Sequence, residues 1–341
     1  MTHQITIKPS GHTYQVAEGE TILTGAIDAG VNLPYGCRNG ACGACKGKVL
    51  AGEIDHGDYQ SSALSDAEKA EGLALFCCAK ALSDVEIECR EVSALNGIKP
   101  RILPVRVQSM EKLSHDVMAL FLKLPSNERM QFMAGQYVEF LLKDGKRRAF
   151  SLANAPHNDE FLELHLRLVP GGAFTEYVFN EMQEKAILRL EGPFGSFYLR
   201  EDSQKPIIFV AGGTGFAPIK GIIEHALHKN IDREMVLYWG AKTLEDLYMP
   251  NLPQAWAQMH PHFKFVPVLS EPLATDQWNG RTGFVHQAVL DDFADLNAYQ
   301  VYCCGAPAMI EAALTTFKAQ GLPSDEFFSD AFTYANPAPK V

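Results

Sequence analysis

Few stretches restrict a chain as tightly as Gly36-Cys37-Arg38-Asn39-Gly40-Ala41-Cys42-Gly43-Ala44-Cys45-Lys46-Gly47. Three thiols stand at C-x4-C-x2-C spacing among small residues, and Cys77, directly followed by Cys78, comes after a gap of 31 residues. A disulfide framework would not call for a glycine-rich loop, and Met1-Thr2-His3-Gln4-Ile5 has neither the basic nor the apolar part of a secretory signal. A zinc site usually shows two C-x2-C pairs, and only Cys42 and Cys45 form one. A 2Fe–2S cluster takes this spacing at all four positions. Its thiolates must converge on two irons with backbone N–H groups close to the sulfides, and glycine and alanine let a chain wrap that tightly. The residues alone leave Cys77 and Cys78 both open as the fourth ligand.

Length and charge bound the rest. With 341 residues, 47% of them hydrophobic and 21% charged, the chain reads as a soluble globular protein of two or three domains. No run of about 18 apolar residues is present, so no membrane span and a cytoplasmic address are expected. A net charge of −11 argues against nucleic acid and fits a solvated acidic surface or the steering of a basic protein partner.

The first segment alternates as a β protein does. Ile5-Thr6-Ile7 can pair with Thr13-Tyr14-Gln15-Val16 across Pro9-Ser10-Gly11-His12, and a short helix over 21–29 stops at Gly30. A strand follows near Lys48-Val49-Leu50, a capping box at Ser65-Asp66-Ala67-Glu68 opens a brief helix, and Val85, Ile87 and Cys89 alternate in a closing strand. Residues 1–92 resemble the β-grasp of plant-type ferredoxins, with the domain set at 1–94. That resemblance implies a fourth ligand directly after an apolar pair, here Leu75-Phe76, and so Cys77 beside Cys37, Cys42 and Cys45. Cys78, Cys89 and Cys303 are then buried small hydrophobes. The polar stretch 93–100 reads as a linker.

The second segment, 101–200, is strand-rich over 105–124, 136–142 and 161–169, with Leu162, Leu164, Leu166 and Leu168 on one side and a hairpin turn at Lys143-Asp144-Gly145-Lys146. An antiparallel barrel of about six strands, ending near Phe197, is expected. Arg148-Ala149-Phe150-Ser151 lies at a strand end, and Gly171-Gly172-Ala173-Phe174-Thr175 opens a helix expected over 175–182. One cation and one set of helix N-terminal amides are what a pyrophosphate requires. Arg148-Ala149-Phe150-Ser151 resembles the R-x-Y-S flavin motif of the ferredoxin–NADP reductase superfamily, with Phe in place of Tyr, and residues 171–175 resemble its phosphate-binding helix start. The resemblance implies FAD, with Arg148 on the pyrophosphate, Ser151 near the flavin N5, and Phe150 keeping the packing of the family's Tyr without its hydroxyl. It adds His165, Arg167 and Phe174 as cofactor-binding residues.

The third segment, 204–341, changes period. Pro206-Ile207-Ile208-Phe209-Val210-Ala211 is a continuous apolar run leading into Gly212-Gly213-Thr214-Gly215 and a helix over 219–227. Strand, glycine turn and helix form a nucleotide-binding arrangement. Further strands over 235–240, 263–269 and 300–305 alternate with helical patterns, which implies a doubly wound parallel sheet with ligands at the carboxyl ends of its strands. Gly212, Gly213, Thr214, Gly215, Gly240, Cys304 and Gly305 all fall there. Cys304-Gly305-Ala306-Pro307 resembles the C-G-x-P element of the superfamily, whose Cys lies near the nicotinamide, although Cys304 reads equally well as a buried thiol. Asp330-Ala331-Phe332 resembles the segment that carries the family's flavin-shielding aromatic, which would be Phe332. After the second strand Lys242 stands where NADPH-binding relatives show a Ser-Arg pair, so NADH is the expected donor.

The order of segments, α+β then antiparallel barrel then α/β, resembles the reductase components of bacterial oxygenases and the CDP-6-deoxy-3,4-glucoseen reductases, the latter most closely over 147–156. That resemblance implies transfer of electrons from NADH through FAD and a 2Fe–2S cluster to a protein acceptor, an oxygenase or dehydrase component, by a monomer. Ser151, Cys304 and Phe332 would stand at the flavin–nicotinamide contact. A stand-alone flavin or ferric reductase and a redox sensor are the alternatives.

Overall fold

The computed structural model describes residues 2–92 and 98–332, so most of the expected linker lies outside the described residues. The chain divides into two compact units: Met1–Pro100 with Phe194–Phe197, and Arg101–Pro193 with Tyr198–Val341.

In the first unit, β1 (Thr2–Lys8) and β2 (Thr13–Ala17) form the expected hairpin, Ile5 facing Tyr14. Thr21 caps α1 (Ile22–Ala29), its hydroxyl accepting from the Thr24 N–H, and Gly30 ends it at φ 75°. After the cysteine loop come β3 (Lys46–Ala51), β4 (Ile54–Asp55), α2 (Asp66–Ala70), β5 (Leu73–Leu75), β6 (Lys80–Ala81) and β7 (Val85–Glu88). The Ser65/Glu68 capping box opens α2 as the sequence implies. One mixed sheet runs β2-β1-β7-β3-β5, with β1 and β7 parallel. The β4–β6 ladder was not expected, because two-residue strands carry no period to read. Ile5, Ile7, Ile22, Ala26, Phe76 and Ile87 fill the core under α1.

The second unit begins with a six-stranded antiparallel sheet. Its strands are β8 (Arg101–Lys112), β9 (Val117–Lys123), β10 (Tyr137–Leu141), β11 (Arg147–Ser151), β12 (Leu162–Arg167) and β13 (Ile187–Phe194), in the order β11-β10-β13-β8-β9-β12. An antiparallel bridge between Leu152 and Leu164 joins the two edges and closes the barrel. The pattern over 105–124 resolves into two strands, and the last strand stops at Phe194 instead of near Phe197. Helix α3 covers Ala173–Asn180, two residues ahead of the expected 175–182. Gly172 serves as its N-cap, so Ala173 already starts the first turn.

The remainder is a parallel sheet of β14 (Ile207–Gly212), β15 (Met235–Ala241), β16 (Phe263–Leu269), β17 (Arg281–Thr282), β18 (Gln300–Gly305) and β19 (Phe327–Ala331). These strands alternate with α4 (Phe216–His228), α5 (Asn251–Met259), α6 (Val285–Asp292) and α7 (Pro307–Ala319). The order β17-β16-β15-β14-β18-β19 reverses direction between β14 and β18, which makes their carboxyl ends the topological switch point. Helix α4 starts three residues before the expected 219, entered through a 3₁₀ turn over Gly213–Gly215. Strands β17 and β19 were missed: the first is two residues long, and the second mixes polar and apolar residues.

Candidate functional sites

The cysteine loop occupies the gap between α1 and β3. Cys45 immediately precedes β3 and Cys77 follows β5, so the pairing of Lys46 with Leu75 and the Phe76 N–H bond to the Cys45 carbonyl (3.1 Å) bring these two thiols together. The sulfurs associate in twos: Cys37 with Cys42, and Cys45 with Cys77. Those hydrogen bonds, first among the causes, hold the Cys37 and Cys77 thiols below the ordinary thiol range and push Cys42 and Cys45 above it. Backbone N–H groups of Cys37 (3.3 Å) and Ala41 (3.4 Å) point at the Cys42 and Cys37 sulfurs, and that of Gly40 points at Cys77. Gly40, at φ 72°, admits no side chain, since a Cβ would stand 2.7 Å from the Cys78 sulfur. Two thiols for each of two irons, with amides aimed at sulfur, fit a 2Fe–2S cluster. Cys78 lies 3.6 Å from Cys77, sulfur to sulfur, in the same pocket of chain.

The barrel's end facing the flavin motif is built by β11 and α3. Along β11, Arg148 and Phe150 are half-buried and Ala149 exposed. Arg148 donates to the Arg147 carbonyl (2.8 Å). Phe150 packs in a three-ring cluster with Phe140 and Phe174, so Phe174 is a buried support for the α3 start. The Thr175 hydroxyl accepts from the Val169 N–H (3.1 Å) and the Gly171 N–H donates to Glu176 (2.7 Å), which fixes the 169–172 turn. No side chain caps α3, which leaves its first-turn amides suited to a phosphate. These residues fit the diphosphate of a flavin dinucleotide.

At the switch point glycines let the strand ends meet. A Cβ on Gly215 would stand 2.1 Å from the Cys304 carbonyl oxygen, one on Gly212 would stand 2.6 Å from the Met309 sulfur, and one on Gly305 would stand 3.1 Å from Gly212. Trp239 donates its indole N–H to the Gly213 carbonyl (3.0 Å) while its ring stacks on Phe216. The Thr214 side chain is buried in this turn. Gly240 serves packing: a Cβ there would stand 2.8 Å from Val285 at the start of α6. Arg167, from the end of β12, lies over the turn with one guanidinium nitrogen 2.8 Å from where a Gly213 Cβ would be. Its Nε is 3.1 Å from Asp116, and its buried Nη2 has no hydrogen-bond partner among the described residues. A guanidinium so placed faces the nucleotide turn and suits a dinucleotide phosphate.

Ser151, Cys304, Asp330 and Phe332 converge on one place. Ser151 donates to Asp330 (3.2 Å), which links β11 of the barrel to β19 of the parallel sheet. Asp330 pairs with Cys304 across β18 and β19, and the Phe332 N–H donates to the Gly305 carbonyl (2.9 Å). Burial pushes the Asp330 carboxyl up to about 6, against the lowering by Ser151. Burial also pushes the Cys304 thiol far up, with Asp330 adding to it.

His165 is not aimed at open space. Its Nε2 lies 2.8 Å from Glu163 and its Nδ1 3.0 Å from the Tyr248 hydroxyl. Lys220 of α4 donates to Glu163 (2.9 Å) and to the Ala153 carbonyl (3.1 Å). Burial lowers His165, so the neutral ring donates to Glu163 and accepts from Tyr248. Glu163, His165 and Lys220 thus clasp β12 to α4 and the 248 loop, holding Arg167 over Gly213 at the end of the same strand.

Residues 5–82 match the 2Fe-2S iron-sulfur cluster binding domain family, 104–198 the oxidoreductase FAD-binding domain family and 209–315 the oxidoreductase NAD-binding domain family. The CDP-6-deoxy-L-threo-D-glycero-4-hexulose-3-dehydrase reductase of Yersinia pestis is 40% identical over 332 residues, 97% of this chain and 99% of the relative. The chain belongs to the iron–sulfur flavoprotein reductase family. Terephthalate 1,2-dioxygenase reductase component 2 of Comamonas is 35% identical to the reductase, over 97% of this chain and 98% of the relative. A crystal structure of a cytochrome P450 reductase of Amycolatopsis superposes with TM-score 0.81 at 35% identity, covering 98% of the reductase and all of that chain. The reductase therefore carries 2Fe–2S, FAD-binding and NAD-binding domains and is an NAD(P)H oxidoreductase that transfers electrons to a partner component. Among the described residues no helix is long and apolar enough to cross a membrane.

Sequence reasoning missed Asp330 as a polar partner of Ser151, and Glu163, Lys220 and Tyr248 as a clasp. The alternation Leu-Glu-Leu-His-Leu-Arg looks like a half-solvated strand, and only the packing of α4 shows that the polar face is buried too.

Proposed function

We propose that the reductase takes a hydride from NADH and delivers electrons to an oxygenase or dehydrase component. The observation that carries this is the Ser151–Asp330 hydrogen bond, which supports a meeting of flavin and nicotinamide at the switch point beside Cys304 and Phe332. When bound, FAD would accept the hydride and release electrons singly, and the cluster would carry them one at a time. Cys37 and Cys42 would hold one iron, Cys45 and Cys77 the other. Arg148, with the amides of α3, would hold the FAD diphosphate. Arg167 and the Gly213–Gly215 turn would hold the pyrophosphate of the donor, a change of role for Arg167 from the flavin to the nicotinamide side. His165 acts through the clasp as a positioning residue. Phe332 would cover the flavin ring, and Ser151 with Asp330 would move the proton left behind when the electrons depart.

Domain limits of 1–94, 101–200 and 204–341 go with this reading, and the three matched spans fall inside them. So do a monomer, a cytoplasmic address and no nucleic-acid partner, the last supported by the net charge of −11. Anaerobic titration with NADH, and separately with NADPH, tests the proposal. Bleaching of both flavin and iron–sulfur absorbance by NADH at lower concentration than NADPH is expected. A cluster that stays oxidised while the flavin bleaches would overturn the relay.

A further inference from the structure

Cys77 and Cys78 are neighbours in the chain, and neighbouring side chains of a strand point to opposite faces. Here both thiols reach one pocket, because the chain turns as soon as β5 ends. The Cys78 N–H (2.9 Å) and the Ala79 N–H (2.8 Å) both donate to the Leu75 carbonyl. The carbonyl of the buried Phe76 accepts from the Leu23 N–H (2.9 Å), which anchors the turn to α1. The two sulfurs come to rest 3.6 Å apart, at hydrogen-bond distance for sulfur.

Two glycines close on Cys78 from other parts of the loop. A Cβ on Gly40 would stand 2.7 Å from its sulfur, and one on Gly57 would stand 2.5 Å from its carbonyl oxygen. Gly40 is held in turn by the Gln60 N–H, which donates to its carbonyl (3.0 Å). The half-buried Cys78 thiol is thus fixed beside Cys77 by backbone that has no room to retreat.

A cysteine binds iron as a thiolate and then has no proton to give. With Cys77 as a ligand, the hydrogen between the two sulfurs belongs to Cys78, whose S–H donates to the Cys77 sulfur beside the N–H of Gly40. A reduced cluster carries one more negative charge than an oxidised one, so a donor at a ligand sulfur favours reduction.

We infer that Cys78 sets the potential of the cluster through this hydrogen bond, making it easier to reduce and so a better holder of electrons bound for the partner component. The inference rests on the reading of Cys77 as the fourth ligand.

Anaerobic redox titration of the holoenzyme tests this on Cys78→Ala and Cys78→Ser, with the cluster followed by electron paramagnetic resonance and the flavin by absorbance. Cys78→Ala should keep the cluster and shift its one-electron equilibrium about threefold toward the oxidised form, about 30 mV at 59 mV per tenfold. The factor is modest because S–H is a weak donor. Cys78→Ser, whose hydroxyl still donates, should stay near the native potential, and the flavin should titrate as in the native protein in both variants. An unmoved potential in Cys78→Ala overturns the inference and leaves Cys77 as the ligand. Equal shifts in the two variants would trace the effect to packing and overturn it as well. If Cys78→Ala loses the cluster while Cys77→Ala retains one, Cys78 is the ligand, and the reading falls with the inference. Loss from Cys78→Ala and Cys77→Ala alike would make Cys78 a requirement for assembly, and the inference falls alone.

Discussion

Asp330 shows what a single residue contributes once its distant partners are known. A hydride carries two electrons and a proton, and when both electrons have passed to a partner the proton remains. On the proposed reading Ser151 and Asp330 would offer it a route, since Ser151 touches the carboxylate and the carboxylate is buried against Cys304. With Asp330 pushed up to about 6, the acid is protonated and unable to accept below that pH and ionised above it. Turnover with an electron acceptor should therefore rise as pH increases through about 6 in the native enzyme. Asp330→Asn should lower turnover and flatten that limb; an unchanged profile in the variant would remove Asp330 from the proton route. The four cysteines proposed as ligands could be picked out because cluster geometry dictates local spacing. Asp330 could not, because the Ser151 it serves lies 179 residues away and no local pattern records the pairing.

Among the elements, β12 carries the most. Its leucines face the barrel core while Glu163, His165 and Arg167 face the nucleotide-binding half. Burial pushes Glu163 up, and His165 and Lys220 more than offset it, holding the carboxyl at about 2. Because the folded value lies below the unfolded one, this group's stabilisation is present above roughly pH 4 and fades as pH falls toward 2. Glu163→Gln leaves the Lys220 ammonium buried with weaker partners and should destabilise the second unit by about 3 kcal/mol. Thermal unfolding followed by flavin release measures it, and a midpoint equal to that of the native protein at pH 7 would show that Glu224, 3.1 Å from the Lys220 ammonium, suffices for it alone. The leucine period of β12 and the apolar run of β14 could be read directly. Where α3 begins could not, since two glycines allow either start and only the Gly172 cap decides.

At the scale of the molecule, the cysteine loop marked out the ferredoxin-like segment, and the one change from alternating strands to a continuous apolar run separated the barrel from the parallel sheet, because a parallel sheet buries both strand faces. How the barrel meets the parallel sheet was not legible, since those contacts link residues far apart in sequence. The division of labour makes donor-side and acceptor-side chemistry separable. Cys42→Ser should abolish electron delivery to a partner protein while reduction of bound flavin by NADH survives, measured by stopped-flow absorbance at the flavin band. Equal loss of both in a folded variant would argue against a relay.

The alternation along β12 also limits how a gene for such a chain can change in length. One codon inserted or deleted within Leu162–Arg167 would turn a carboxylate, an imidazole and a guanidinium into the barrel core and present leucines to α4. Only the loop tip at 157–160 can absorb such changes, since Ala153 and Asn154 are buried and bonded to Lys220 and Glu163, whereas the strand can vary only by substitution.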